Sequence, residues 1–284
     1  ELVNGTRRKY PAWGGRKIKT YLERKGHDSI PAASTITEIL RRTDLINPEE
    51  AEKHKAFQRF EMDKPNELWQ MDFKGYFGLT EGGNCHPLTI LDDHSRYLIG
   101  LKACSNETHQ TVQEYLSEIF GYYGLPDRML MDNGSPWGYD QDHPHTALTA
   151  WLIRLGIKVS HGKPYHPQTQ GKEERFHRTL NEELISRYPM TNLVQCQIAF
   201  DQWRKIYNND RPHESLKMGT PCDHYRPSTK PFPKVLPPIT YPPGYIIRKV
   251  DQSGGIYFQN QRHRISKAFR YCIAVSYTHL RAHE

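Results

Sequence analysis

The chain has 284 residues, of which 36% are hydrophobic and 25% charged, and its net charge is +7. That length supports one sizeable core with smaller modules attached, and no apolar run approaches the ~20 residues that a membrane span requires. The five cysteines (Cys85, Cys104, Cys196, Cys222 and Cys272) form no Cys-x-x-Cys pair, and no histidine stands at finger spacing to such a pair. This argues against a disulfide framework or a zinc site and reads as free thiols in a reducing cytosol.

Charge is unevenly spread. Residues 1–60 carry 13 Lys and Arg against 8 Asp and Glu, residues 61–210 carry 14 against 20, and residues 211–284 carry 12 against 4. An acidic middle between basic ends suits a metal-binding centre whose flanks grip phosphate. Nothing at the start resembles a signal peptide, and the chain opens on Glu1 rather than Met, which reads as a fragment.

In chain order, residues 14–46 are expected to form two helices. Ile18, Tyr21 and Leu22 give the first an apolar stripe, and Gly26 stops it. Ser34 is the expected N-cap of the second, whose Ile36, Ile39 and Leu40 face inward. The pair reads either as an ordinary helical hairpin or as a helix-turn-helix presenting Ser34, Thr35, Thr37 and Arg41 to DNA. Residues 47–66 read as a connector helix and linker. Strands are expected at 68–78, 87–92, 97–103, 128–132 and 157–160, and helices near 109–123 and 146–155, from Gln170, and across Leu193–Tyr207. Three early strands followed by alternating helices and strands predict a mixed sheet flanked by helices. Eight prolines between Pro221 and Pro243 predict an extended spacer. Beyond it, alternating apolar and basic residues around turn signals predict a small basic β-module. Residues 275–284 look like a translated sequencing adapter and are set aside.

Three acids stand where phosphoryl transfer could use them. Asp72 follows the strand-like Leu68–Met71, Asp132 ends Met129–Met131 before Asn133-Gly134, and Glu173 or Glu174 opens a helix. Oxygen ligands on two strands and one helix can hold two hard divalent cations. At about 100° per residue, Glu173 aligns with Leu180 and Leu184 on the buried face and Glu174 with Arg178 and Asn181 on the polar face. The ligand must reach a cleft, so Glu174 is preferred. Asp92 and Asp93, in a tight turn beside Arg96, are expected to serve as turn and ion-pair residues, and Asp140 and Asp142 as solvated insert residues. The polar, Gly- and Pro-broken Ser160–Lys172 segment can lie as a loop along a DNA strand.

These residues resemble bacterial insertion-sequence transposases of the DDE type, whose core is similar to that of retroviral integrases. The resemblance runs from about Trp13 to Ala274. It rests on Asn66-Glu67-Leu68-Trp69-Gln70-Met71-Asp72, Leu91-Asp92-Asp93-His94-Ser95-Arg96, Asp132-Asn133-Gly134, His166 through Leu180, and Tyr207 through Glu214. It implies an α/β, RNase H-like mixed five-stranded sheet as catalytic core at 67–220. Around the core it implies a partial helix-turn-helix region at 1–46, a connector at 47–66, a Pro-rich linker at 221–243 and a β-module at 244–274. The implied catalytic and metal-binding residues are Asp72, Asp132 and Glu174, with two Mg2+ ions, or Mn2+ in their place. DNA contacts are expected from Ser34, Thr35, Thr37 and Arg41, and from His166, Gln168, Gln170, Lys172, Arg175 and Arg178. The implied activity is metal-dependent hydrolysis at element ends followed by strand transfer into target DNA. It implies double-stranded DNA as partner, a homodimer or larger assembly on DNA, and a bacterial cytoplasmic, nucleoid-associated location, with no membrane or small-molecule substrate. The alternatives are an RNase H-like nuclease that only cleaves, and a catalytically inactive DNA-binding relic.

Overall fold

The computed structural model describes residues 1–46, 61–138, 145–162, 167–236, 238, 241 and 246–276, with side chains left aside at 167–171 and 275–276. Six strands form the central sheet: β1 (Trp69–Phe73), β2 (Phe77–Gly78), β3 (Asn84–Asp92), β4 (Leu98–Cys104), β5 (Arg128–Met131) and β6 (Lys158–His161). β3 pairs antiparallel with β4 and with β1, while β1, β5 and β6 run parallel. Parallel neighbours need crossovers. α4 (His109–Tyr123) joins β4 to β5, and α5 (Ala147–Arg154) joins β5 to β6. Both helices start where expected, on the side-chain caps of Thr108 and Thr146.

Side-chain alternation sends the two sheet faces into separate cores. Met71, Phe73, Leu88, Ile90 and Ile99 pack against α4 and α5. Leu91, Leu98 and Leu101 pack against α6 (Pro167–Leu180) and α7 (Leu193–Asn209). A mixed sheet with helices on both faces is the RNase H-like arrangement, in agreement with the expected class. The long first strand is interrupted at residues 74–76, and β2 resumes the pairing with Phe77 opposite Cys85. The sheet therefore counts six strands, not five.

N-terminal to the sheet, α1 (Leu2–Lys9), α2 (Gly15–Arg24) and α3 (Ala33–Arg42) enclose Val3, Trp13, Ile18, Leu22, Ile36 and Leu40. α1 was not anticipated. Gly15 is required at the α2–α3 crossing, where a Cβ would stand 2.4 Å from Thr37 Oγ1 and 2.5 Å from the Ala33 carbonyl. Ser34 is not the cap: the cap is Ala32, and the helix starts at Ala33, two residues earlier than expected. This unit rests on the core through Arg24, which meets both oxygens of Asp223 at 2.7 and 2.8 Å, and through Lys25 on Asp210 at 2.9 Å. The connector helix expected within 47–66 lies mostly outside the described residues.

The Pro-rich segment departs from expectation. α8 (Pro221–His224) begins it, and the following residues run back along the core instead of leaving it. Tyr225 is buried, stacks on Tyr97 at 4.3 Å and donates to Asn66 Oδ1 at 3.0 Å. Lys230 O accepts from the Leu125 amide at 2.8 Å, and Phe232 packs on Phe120 and Trp151. Aromatic side chains between the prolines turn the spacer into a strap, and proline spacing alone does not reveal that. Trp137 is likewise buried, stacked on Phe73; Asp140 and Asp142 lie outside the described residues. Farther on, β7 (Ile246–Lys249) pairs with β10 (Ile273–Ser276), and β8 (Gly255–Phe258) with β9 (Gln261–Arg264). Among the described residues no helix is long and apolar enough to cross a membrane.

Candidate active site

β1 and β5 are parallel neighbours, with Trp69 opposite Met129 and Gln70 opposite Leu130. Asp72 and Asp132 therefore come off the same end of adjacent strands, whose spacing is about 4.8 Å. Burial pushes the Asp72 carboxyl up to about 7; the Phe73 amide opposes the shift, while Asp132 and Glu107 add repulsion. Asp132 is exposed. Its Oδ1 accepts from the Asn133 amide at 2.7 Å, and Asn133 Nδ2 donates to Gly162 O at 2.6 Å. The Asp-Asn-Gly turn thus also ties the end of β5 to the end of β6.

α6 stands over these strand ends. Glu173, Phe176 and Leu180 are buried on its inner face, and Glu174 is exposed at 3.5 Å from Arg178. The helical phase is the one expected. Two details differ. The helix starts at Pro167, so neither Glu173 nor Glu174 opens it. Glu173 is also the α6 acid that feels the aspartates: burial pushes its carboxyl well up, with Asp72 and then Asp132 adding to the shift, and Oε1 has no hydrogen-bond partner. The inner face of α6 lines the cleft as well as the core, so the premise that a ligand must leave the buried face does not hold here. Among the described residues, no three His, Cys, Asp or Glu side chains converge closely enough to chelate an ion.

His177 was not foreseen, although it lies four residues after Glu173 on the same face. Its Nε2 is 2.9 Å from Thr89 Oγ1, which donates to the Asp72 carbonyl at 2.9 Å. With the single hydroxyl proton used on that carbonyl, Nε2–H must be the donor to Thr89, leaving unprotonated Nδ1 facing Asp72 Oδ2 at 4.0 Å. Burial, with Lys74 adding, pushes His177 down to about 4. The contact is therefore not an ion pair near neutral pH.

Asp92 and Asp93 do serve the turn. Asp92 accepts from the Ser95 amide and hydroxyl and from the Asn66 amide. Asp93 pairs chiefly with Lys172 at 2.6 Å; Arg96 stands 4.0 Å away. Lys172, expected on DNA, thus spends its ammonium inside the protein. Ser34, Thr35 and Arg41 are exposed on α3 and, with Arg16 and Arg42, line one groove. Thr37 lines the same groove, half-buried at the α2–α3 crossing, where its hydroxyl donates to Ala33 O at 2.8 Å. Arg41 pairs with Glu38. Arg175 and Arg178 are exposed on α6; His166 and the side chains of Gln168 and Gln170 lie outside what is described. The Tyr207–Glu214 motif is structural. Asn208 exchanges two hydrogen bonds with the backbone of Leu98 at the start of β4, and buried Arg211 pairs with half-buried Glu183 at 2.9 Å.

Two family models described as "Integrase core domain" match residues 62–167 and 155–221, together more than half of the chain. An insertion element IS476 protein of Xanthomonas euvesicatoria is 26% identical over 158 residues, 56% of this chain and 44% of the relative. An insertion element IS407 protein of Burkholderia multivorans is 23% identical over 159 residues, 56% of this chain and 55% of the relative. The chain thus spans about half the length of these curated relatives. Among solved structures, the HTLV-2 integrase catalytic core domain in complex with magnesium is similar at 17% identity and a TM-score of 0.43, over 57% of this chain and 97% of that one. The two family models cover the same residues that place Asp72 and Asp132 on adjacent strand ends, and the chain belongs to the integrase core domain family, similar in sequence to insertion-element proteins.

Proposed function

We propose that the protein hydrolyses a phosphodiester at the ends of its own element and uses the freed 3′-hydroxyl to attack target DNA, with no covalent enzyme intermediate. The observation that carries this reading is the pairing of Asp72 and Asp132 at neighbouring strand ends, in a setting where burial makes the negative charge of Asp72 costly to keep. An all-oxygen donor set and the unpartnered buried Oε1 of Glu173 fit a hard divalent cation there. Asp72, Asp132 and Glu174 would hold two Mg2+ ions, with Mn2+ able to substitute. To do so Glu174 gives up only its exposed contact with Arg178, the kind of pair worth about 0–1 kcal/mol. Bound there, the ions supply a nucleophilic oxygen and stabilise the transition state and the leaving alkoxide. His177, neutral and held by Thr89, orients the rim of the cleft beside Asp72.

Double-stranded DNA, as element ends and as target, is the partner. α2 and α3 act as a helix-turn-helix that places Ser34, Thr35 and Arg41 on an element end, while Arg175 and Arg178 meet phosphates beside the cleft. The basic strands β7–β10 add a further DNA contact. A homodimer or larger assembly brings paired ends together, in the bacterial cytoplasm.

The test is a cleavage and joining assay with Mg2+ on double-stranded oligonucleotides carrying the source element's own termini. Asp72→Asn, Asp132→Asn and Glu174→Gln should each abolish joined product while DNA binding persists. Full activity of Glu174→Gln, with loss in Glu173→Gln, would move the ligand one residue. Metal-dependent cleavage without any joined product would favour a nuclease, and DNA binding without turnover a relic.

A further inference from the structure

Between β1 and α6 lies a buried polar cluster that the proposed chemistry does not use. Asp93 is fully buried. Its Oδ1 accepts from Gln70 Nε2 and from Lys172 Nζ, each at 2.6 Å, and its Oδ2 accepts from the Met62 amide at 2.9 Å. Gln70 lies two residues before Asp72 on β1, so the two side chains share a sheet face. Lys172 immediately precedes Glu173 and Glu174 on α6. The cluster therefore connects, through a single carboxylate, the strand that carries one proposed ligand to the helix that carries another. A buried ion pair adds little net stability but is strongly directional when its remaining lone pairs are satisfied, as those of Asp93 are.

We propose that Asp93, Gln70 and Lys172 are positioning residues: together they brace the first turns of α6 against the end of β1 and so fix where the α6 carboxylate stands relative to Asp72. The brace rests on the reading of Asp72, Asp132 and Glu174 as metal ligands. It gives the Lys172 ammonium an intramolecular task in place of a phosphate contact.

Mn2+ binding to the full chain, followed by electron paramagnetic resonance well below the melting temperature, tests it. Asp93→Asn and Lys172→Met should each weaken Mn2+ binding about tenfold or more, the scale on which outer-shell partners of metal sites act. Lys172→Arg, which keeps the charge, should recover most of the affinity. Where a single variant does not fold, the double variant Asp93→Asn/Lys172→Met, which strands no lone charge, decides by the same measurement. In parallel, the salt dependence of binding to a double-stranded oligonucleotide should keep its slope in Lys172→Met. A fall of about 0.9 in that slope would place Lys172 on a phosphate and overturn the brace. Wild-type affinity for Mn2+ in folded Asp93 and Lys172 variants would also overturn it, leaving the ligand assignment intact. No Mn2+ binding by the wild type would overturn both.

Discussion

The metal-free site should be a source of instability, and Asp72→Asn measures how much. The Asp72 carboxyl titrates near 7 in the folded protein against a reference of 3.8. Between those values the folded state holds a proton that the unfolded state has released. Unfolding free energy therefore falls as pH rises through this window and levels off above it. The full shift corresponds to roughly 4 kcal/mol at ~1.4 kcal/mol per unit. The side chain is 32% exposed, and water reaching it screens part of that penalty, so about 1–3 kcal/mol is the working expectation. Urea unfolding in EDTA, followed by tryptophan fluorescence, should show Asp72→Asn matching wild type near about pH 4 and exceeding it by that margin near about pH 8. Adding Mg2+ at the higher pH should stabilise wild type and leave the variant unmoved, since only a state that binds the ion gains from it. A variant equal to or weaker than wild type at the higher pH would refute the buried-carboxylate account.

Other perturbations test the parts that hold the site in place. Gly124 has φ +73, and a Cβ there would stand 2.6 Å from Lys230 O and 2.8 Å from Ser228 O. Gly124→Ala should cost about 1–3 kcal/mol and expose the strap to limited proteolysis at native temperature. Arg211→Ala should leave half-buried Glu183 with only the Trp203 indole as partner and cost about 2–4 kcal/mol, whereas Arg211→Met with Glu183→Leu should cost much less; calorimetric melting of the three proteins checks this. Arg41→Ala should reduce the salt-dependence slope of DNA binding by about one, as expected for loss of one phosphate contact. An unchanged slope would remove Arg41 from the interface.

Local periodicity made much of this fold legible. The apolar spacing of Val112, Leu116, Ile119 and Phe120 marked α4, and that of Cys196, Phe200, Trp203 and Tyr207 marked α7, because each helix buries a single stripe. Asp72 and Asp132 could be singled out because a carboxylate that ends an apolar run is conspicuous. What stayed hidden depends on contacts between distant residues. Nothing near Lys172 in sequence announces Asp93, 79 residues away. Nothing near Pro227 announces that Tyr225 will stack on Tyr97 and bind Asn66. Ser34 had the right chemistry for a cap, but α3 begins two residues earlier in a chain already packed against Gly15. Helical phase separated Glu173 from Glu174 correctly; where the cleft runs relative to that phase is a property of the whole sheet.

The arrangement also explains why so much polar scaffolding surrounds so few chemical groups. Two aspartates at adjacent strand ends, with a buried glutamate beside them, repel one another wherever they are ionised, and the fold must hold them there regardless. The inner face of α6 can stand near them only if something other than those acids fixes it. Phe176 and Leu180 anchor the helix in the second core, the Arg211–Glu183 pair ties the turn after α6 to the end of α7, and the Asn208 side chain locks α7 to β4. Lys172 supplies the remaining restraint at the start of α6 by pairing with a carboxylate outside the repelling set. An attractive contact of that kind keeps α6 in register with β1 in the metal-free protein. On the proposed reading, the strand ends and α6 are then held in place beforehand, and ion binding would have to draw the exposed side chain of Glu174 in toward Asp72 and Asp132.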